Sequence, residues 1–176
     1  SSAPTNSAPV RVAVDAMGGD FAPRAAVAGA WFAAVQDGTP ILLIGRRDRI
    51  ERELARLGPP PDHLEIAHAA DVISMEETAT AVRRKRQASV ALCAEAVRDG
   101  RAQAMVTAGH TGAAMVAAKL LIGAIPGVDR PALAATFPNR HGRTVVLDVG
   151  ANVDSRPEHL RQFAVMGHFF AREVIG

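Results

Sequence analysis

A short apolar run that breaks on glycine and restarts with helical spacing leaves a chain few ways to fold, and this chain does it more than once. Ala104-Met105-Val106 runs into Thr107-Ala108-Gly109-His110-Thr111-Gly112-Ala113, and an alanine-rich stretch of helical character continues to about Leu121. The pattern predicts strand, glycine loop and helix. Such a loop leaves the first backbone N–H groups of the helix pointing outward, and the helix dipole adds partial positive charge there, so an anion can rest on it. Gly109 and Gly112 let the backbone approach a ligand closely, and Thr111 can cap the helix or offer a hydroxyl. Two readings stand: a phosphate or oxyanion cradle, or a βα turn that needs glycine for sterics alone.

The same unit opens the chain. Val10 to Ala16 is a β-branched run, Met17-Gly18-Gly19-Asp20 is a glycine turn, and Pro23 suits the first turn of a helix. In that helix Val27, Ala30, Trp31, Ala34 and Val35 recur at helical spacing, and Gly38 closes it. Asp15 and Asp20 flank the turn at the carboxyl end of a strand, where ligands bind in open α/β sheets. They read equally as turn and helix-start residues.

A second strand follows from Pro40 to Ile44. Gly45 then opens a charged helix with Ile50, Leu54 and Leu57 as its apolar stripe and Gly58 at its end. Gly58-Pro59-Pro60-Pro61 leads into a third strand around Leu64 to Ala67, bracketed by His63 and His68, neither of which has a second ligand at metal spacing. Between Ser74 and Gln87, Glu76-Glu77 give way to the four consecutive cations Arg83-Arg84-Lys85-Arg86. Such a run is ordinarily a solvated face. Here it precedes a helix beginning at Ser89 that feeds the strand before the glycine loop, so Lys85 and Arg84 could fold back as partners for an anion. Beyond Leu121, Ala132 to Phe137 and Thr144 to Val149 read as a β-hairpin, an antiparallel element beside an otherwise parallel sheet. A last helix starts at Asp154 to Pro157, with Leu160, Phe163, Ala164, Phe170 and Val174 on its apolar side. The predicted class is α/β, a three-layer sandwich on a mostly parallel, doubly wound sheet with an antiparallel hairpin.

Composition bounds the functions available. The 176 residues are 48% hydrophobic and 22% charged, which describes a folded globular chain with a real core. The isoelectric point near 9.3 accompanies a formal charge of only +2, too little to argue for nucleic acid. Cys93 is the single cysteine, which excludes an intrachain disulfide, provides no zinc ligand set and suits a reducing cytoplasm. It shares a face with Val90 and Val97, so it reads as core. Ser1 to Pro9 reads as a disordered lead-in rather than a signal peptide. The most apolar region, Ala102 to Val128, is interrupted by His110, Lys119 and glycines, which argues against a membrane span.

Four separated stretches carry a family resemblance: VRVAVDAMGGDFAP at the start, TAGHTGA in the middle, RPALA, and DVGANVDSRPEHLRQFAVMG. Together, in this order, they resemble the phosphate acyltransferase PlsX family of bacterial phospholipid synthesis. The likeness covers Val10 to Gly176 and corresponds to the N-terminal half of the family's length. It implies a sheet like that of isocitrate dehydrogenases and phosphotransacetylases, and a homodimer in the cytoplasm, with peripheral membrane contact left open. It further implies transfer of a fatty acyl group from acyl carrier protein to inorganic phosphate, with no metal and no cofactor. Departures are visible. The family usually has Asn where His110 stands and Ser where Thr107 stands, and its Asp-Ser-Ser after the basic run is here Gln87-Ala88-Ser89, so only Ser89 carries over.

The chemistry so implied needs little acid or base. Phosphate is partly the dianion near neutral pH, and a thiolate with a parent pKa of about 8.5 leaves readily. The demand is to desolvate two anions, align them and stabilise a tetrahedral oxyanion. The expected site therefore has Gly109, Thr111 and Gly112 at phosphate or oxyanion, with Gly18, Gly19 and Asp20 on the facing turn. Lys85 and Arg84 would neutralise phosphate, Ser89 would lie beside them, His110 would orient or protonate, and Asp148 with Asn152 would shape the floor. Rival readings are acyl exchange with coenzyme A and a non-catalytic binding module. A dinucleotide site is weaker, because neither glycine loop has G-x-G-x-x-G spacing.

Overall fold

The computed structural model describes residues 9–150 and 154–176. The lead-in expected for Ser1 to Pro9 lies, Pro9 apart, outside the described residues. Contacts divide the chain into two compact units, one ending at Gly123 and one spanning Ala124–Gly176.

The first unit follows the βα rhythm of the sequence. Its elements are β1 (Val12–Asp15), α1 (Arg24–Asp37), β2 (Ile41–Gly45), α2 (Arg47–Leu57), β3 (Leu64–His68), a 3-10 turn at Ala79–Arg83, α3 (Ser89–Arg98), β4 (Ala104–Val106) and α4 (Thr111–Ala117). A wider π-type turn, Ala118–Ile122, extends α4. All strand pairings are parallel, in the order β3-β2-β1-β4. Alternating side chains serve two cores, as a sheet covered on both faces requires. Val14, Ile41 and Leu43 pack with Val27, Ala30 and Ala34 of α1 and with Ile50 and Leu54 of α2. On the opposite face Ala13, Leu42 and Ile44 pack with Cys93 and Ala96 of α3. This is the doubly wound, three-layer arrangement the sequence predicts.

Local details depart from the spacing argument. Gly45 belongs to β2 rather than opening α2, and Val35 of α1 is exposed. Gly38 does end α1, in the left-handed conformation at φ 65° that favours glycine.

Cys93 is fully buried, and that burial pushes its thiol well above the ordinary value, with the Asp15 carboxylate adding to the effect. Both factors suppress the reactive thiolate. Native protein is expected to react with iodoacetamide at least about a hundredfold more slowly than urea-unfolded protein. Equal rates would show that α3 is not seated on the sheet.

The second unit contains β5 (Ala134–Asn139), β6 (Gly142–Leu147) and α5 (Pro157–Phe170), continued by a π-type turn at Ala171–Ile175. The predicted hairpin is present as a separate two-stranded antiparallel sheet, pairing Ala134 with Leu147 through Asn139 with Gly142. Its turn is tighter than the gap between the two apolar runs suggests, because Pro138 and Arg143, which lie in that gap, are already paired in the ladder. Helix α5 lies close enough to β6 that a Cβ on Gly167 would stand 2.9 Å from Leu147 Cδ1. Phe163 and His159 are its buried residues, whereas Leu160, Ala164 and Val174 are exposed. The apolar side read from the sequence is therefore wider than the face this unit covers.

Candidate functional site

The strand order turns back between β1 and β4, with β2 and β3 to one side of β1 and β4 alone on the other. In open α/β sheets this reversal leaves a crevice at the carboxyl ends of the two strands. Both glycine loops lie there: Met17 to Asp20 follows β1, and Thr107 to His110 follows β4.

One buried carboxylate joins the loops. Asp15, 4% exposed at the end of β1, accepts the Met17 N–H at Oδ1 over 3.0 Å. Its Oδ2 accepts the Thr107 hydroxyl over 2.8 Å. Thr107 Oγ1 in turn accepts the Gly109 N–H at 3.1 Å. The loops touch where this series of hydrogen bonds ends: a Cβ on Gly109 would lie 3.0 Å from Gly18 Cα, and a Cβ on Gly18 would lie 2.8 Å from Gly109 N. Gly19, at φ 99°, faces Ala108, whose carbonyl oxygen is 3.2 Å from where a Cβ would stand. Asp20 is exposed just beyond.

At the start of α4 the cap is His110 rather than Thr111. His110 Nδ1 accepts the Ala113 N–H at 3.3 Å, and Nε2 lies 2.9 Å from the Glu77 carbonyl oxygen. These partners assign the neutral tautomer with its proton on Nε2, donating to Glu77. Thr111 is exposed in the first turn. Among the described residues, the backbone N–H groups of His110, Thr111 and Gly112 have no hydrogen-bond partner, as at an open helix start. Gly112 is needed for closeness of another kind: a Cβ there would stand 3.1 Å from Ala79 Cβ and from His110 Cε1.

The basic segment does fold back beside the loop, but Lys85 is already engaged. Its Nζ donates to Glu77 Oε2 over 2.8 Å and to the Val72 carbonyl over 3.0 Å. Glu77 also accepts the Ser74 N–H at 3.0 Å. Chiefly the Lys85 hydrogen bond, then the Ser74 N–H, hold the Glu77 carboxyl below the usual glutamate range, helped by the Lys85 and Arg84 charges. The clasp is thus complete above that range and opens only as pH falls through the lowered value. Glu77 links the basic run to the cap, its side chain on Lys85 and its carbonyl on His110. Sequence reading missed this, since the only signal was an acidic residue ahead of the basic run. Arg84 is exposed, and Ser89 is 1% exposed in the first turn of α3.

Asp148 belongs to the second unit. It follows β6 at φ 62°, its N–H donates to the Leu133 carbonyl, and Oδ2 accepts the Ser155 hydroxyl at 3.3 Å. Asn152 lies outside the described residues. Among the described residues no group of three or more His, Cys, Asp or Glu side chains could hold a metal ion. Beside the two loops, between α1 and strands β1 and β4, is an open groove lined in part by Asp15, Thr107 and Ala108, with Ala25, Gly29 and Val106 exposed along it.

Comparison with known proteins gives this geometry its family. A sequence model described as fatty acid synthesis protein matches residues 10–176. The chain is 49% identical over 168 residues to the phosphate acyltransferase of Pelotomaculum thermopropionicum, covering 95% of this chain and 49% of that protein. It is 51% identical over 162 residues to the phosphate acyltransferase of Thermus thermophilus, covering 92% and 48%. With that of Geobacter sulfurreducens it shares 47% over 168 residues, covering 95% and 49%. The chain spans about half the length of these relatives. Two glycine loops meeting at a sheet reversal, on a chain this close to those enzymes, place it in the PlsX-type phosphate acyltransferase family.

Proposed function

We propose that this chain supplies the phosphate-binding half of an enzyme that moves a fatty acyl group from acyl carrier protein to inorganic phosphate, giving acyl phosphate for phospholipid synthesis. The observation that carries the reading is the pair of glycine loops at the strand-order reversal, with unpartnered N–H groups at the start of α4. The relatives' name, phosphate acyltransferase, supports the reaction class.

In this mechanism phosphate sits against the N–H groups of His110, Thr111 and Gly112, with Gly18 and Gly19 forming the facing wall. Phosphate oxygen attacks the thioester carbonyl carbon and the charge passes to the carbonyl oxygen. As the tetrahedral oxyanion collapses, the carbon–sulfur bond breaks. The carbon–oxygen bond to phosphate remains, and the thiolate departs to take a proton from water. Preorganised amide donors stabilise such an oxyanion without reorganising during the step. Lys85 and Glu77 neutralise each other, and their pairing holds the basic segment against the loop. His110 acts through the cap, orienting the loop, and its proton on Nε2 stays with Glu77. Arg84 is exposed and available to the phosphate.

Titrating inorganic phosphate into the chain is expected to move amide resonances of Gly18, Gly19 and Gly109 to Ala113 selectively. In a chain extended to the relatives' length, acyl phosphate should form from acyl carrier protein at least about tenfold faster than from acyl coenzyme A, a difference of about 1.4 kcal/mol. Phosphate shifts elsewhere, or none, would overturn the cradle. A preference for the coenzyme would favour phosphotransacetylase-like exchange.

A further inference from the structure

We propose that Glu77 is a positioning residue for the phosphate cradle, acting on the start of α4 through the tautomer of His110. The proposal rests on the phosphate-cradle reading and deepens it by naming a residue outside the loop on which the loop's geometry depends. A neutral imidazole has one bare nitrogen, and either nitrogen can be the one that carries the proton. His110 caps α4 only when Nδ1 is bare, because Nδ1 must accept the Ala113 N–H. The proton must then sit on Nε2, 2.9 Å from the Glu77 carbonyl oxygen, the partner that favours it there. The other tautomer would set Nδ1–H against the Ala113 N–H and leave Nε2 facing an oxygen, with donor opposed to donor and acceptor to acceptor. An asparagine at this position would accept through its amide oxygen with no such condition. The imidazole therefore makes the cap of α4 depend on where one carbonyl lies, 33 residues earlier in the chain.

That carbonyl is held in place by its own side chain. Residues 72–78 belong to no helix or strand, so regular backbone pairing does not fix them. Glu77 and Ser74 bond reciprocally instead: the Glu77 N–H donates to the Ser74 carbonyl over 3.2 Å, and the Ser74 N–H donates to Glu77 Oε2 over 3.0 Å. Lys85 Nζ then ties Oε2 to the Val72 carbonyl, so one ammonium closes the turn from both sides. Just beyond, Ala79 packs on the loop itself, where a Cβ on Gly112 would meet it at 3.1 Å. Removing the Glu77 carboxylate releases both the Ser74 N–H and Lys85 Nζ, and the carbonyl, still in the chain, is free to move away from Nε2. First-turn amides that are ordered only part of the time bind an anion with an affinity reduced by that fraction.

The test titrates inorganic phosphate into the parent chain, Glu77→Ala, His110→Asn and the double variant, at about pH 8, above the ordinary imidazole range. The Glu77 and Lys85 side chains are 29% and 37% exposed, so Glu77→Ala leaves the buried cores intact and the variant folds. Proton–nitrogen spectra of the imidazole report the tautomer. The parent should show His110 protonated on Nε2, and in Glu77→Ala the shifts of the two ring nitrogens should converge as the tautomers mix. The phosphate Kd should rise about fivefold in Glu77→Ala, the usual worth of a helix cap. In the His110→Asn background the same substitution should change Kd by less than about twofold, because an asparagine cap does not lean on Glu77. An equal change in both backgrounds overturns the proposal and leaves Glu77 a stabilising residue only. Tighter phosphate binding in Glu77→Ala overturns it as well, since the carboxylate would then be competing with phosphate for Lys85. So does an unchanged tautomer. Absence of phosphate shifts in the parent would remove the cradle, while the ring spectra would still decide the link between Glu77 and His110.

Discussion

Gly18→Ala is expected to lower the melting temperature and to weaken phosphate binding by at least about tenfold, or about 1.4 kcal/mol. The added methyl would stand 2.8 Å from each of Asp15 Oδ2, Gly109 N and Thr107 Oγ1. None of the three can swing aside: one is backbone, and the other two are bonded to each other. Gly18 itself is buried, so the methyl cannot turn out to solvent. Overpacking of this kind costs about 1–3 kcal/mol, and each kcal/mol shifts the melting point of a chain this size by about 2–4 °C. Relief comes by moving the two loops apart, which also spreads the amides that would hold the anion. Thermal unfolding and phosphate titration of the same variant check both halves of the expectation. A variant that melts lower but binds phosphate as the parent does would show that loop contact serves stability alone.

Asp15→Ala should be the most destabilising single change at the site, by roughly 2–5 kcal/mol. It leaves the Met17 N–H and the Thr107 hydroxyl without partners in a place water does not reach freely, and it opens a small void. Asp15→Asn should lose less, since its amide oxygen still accepts from Met17 and its nitrogen can donate to Thr107 Oγ1. Thr107→Ser keeps the hydroxyl and should stay close to the parent, while Thr107→Val should lie near Asp15→Asn. Urea unfolding of the four variants gives the ranking. If Asp15→Ala falls within about 0.5 kcal/mol of the parent, as an ordinary surface change does, the clamp between the loops contributes nothing.

How much of this could be read beforehand depended on the range of the interaction. The βα units were legible because each is written locally: a β-branched run, glycine, then helical spacing closed by a residue such as Gly38 or Gly58. The hairpin was legible for the same reason. Asp15 stood out at a strand end, but its partner Thr107 lies 92 residues on and becomes a neighbour only once β4 pairs with β1. Lys85 and Glu77 are eight residues apart across a 3-10 turn, a spacing that no helical or strand periodicity brings together. The cap at α4 passed to His110 because an imidazole nitrogen can accept the Ala113 N–H while the other reaches Glu77, something the short Thr111 side chain could not do. On α5 the spacing marked Leu160 and Val174 as inward, yet the hairpin covers only the stripe containing His159 and Phe163. Apolar periodicity reports which side of a helix is greasy, and the width actually covered depends on what lies against it.

The placement of β4 beside β1 has a consequence for how such a protein comes into being. As the chain leaves the ribosome, β1, β2 and β3 can assemble from neighbouring stretches, since each pairs with the next in sequence. The second glycine loop arrives only when β4 pairs with β1, closing a loop of 92 residues between Asp15 and Thr107. A nascent polypeptide therefore carries its first glycine turn with no opposing loop until β4 has paired with β1.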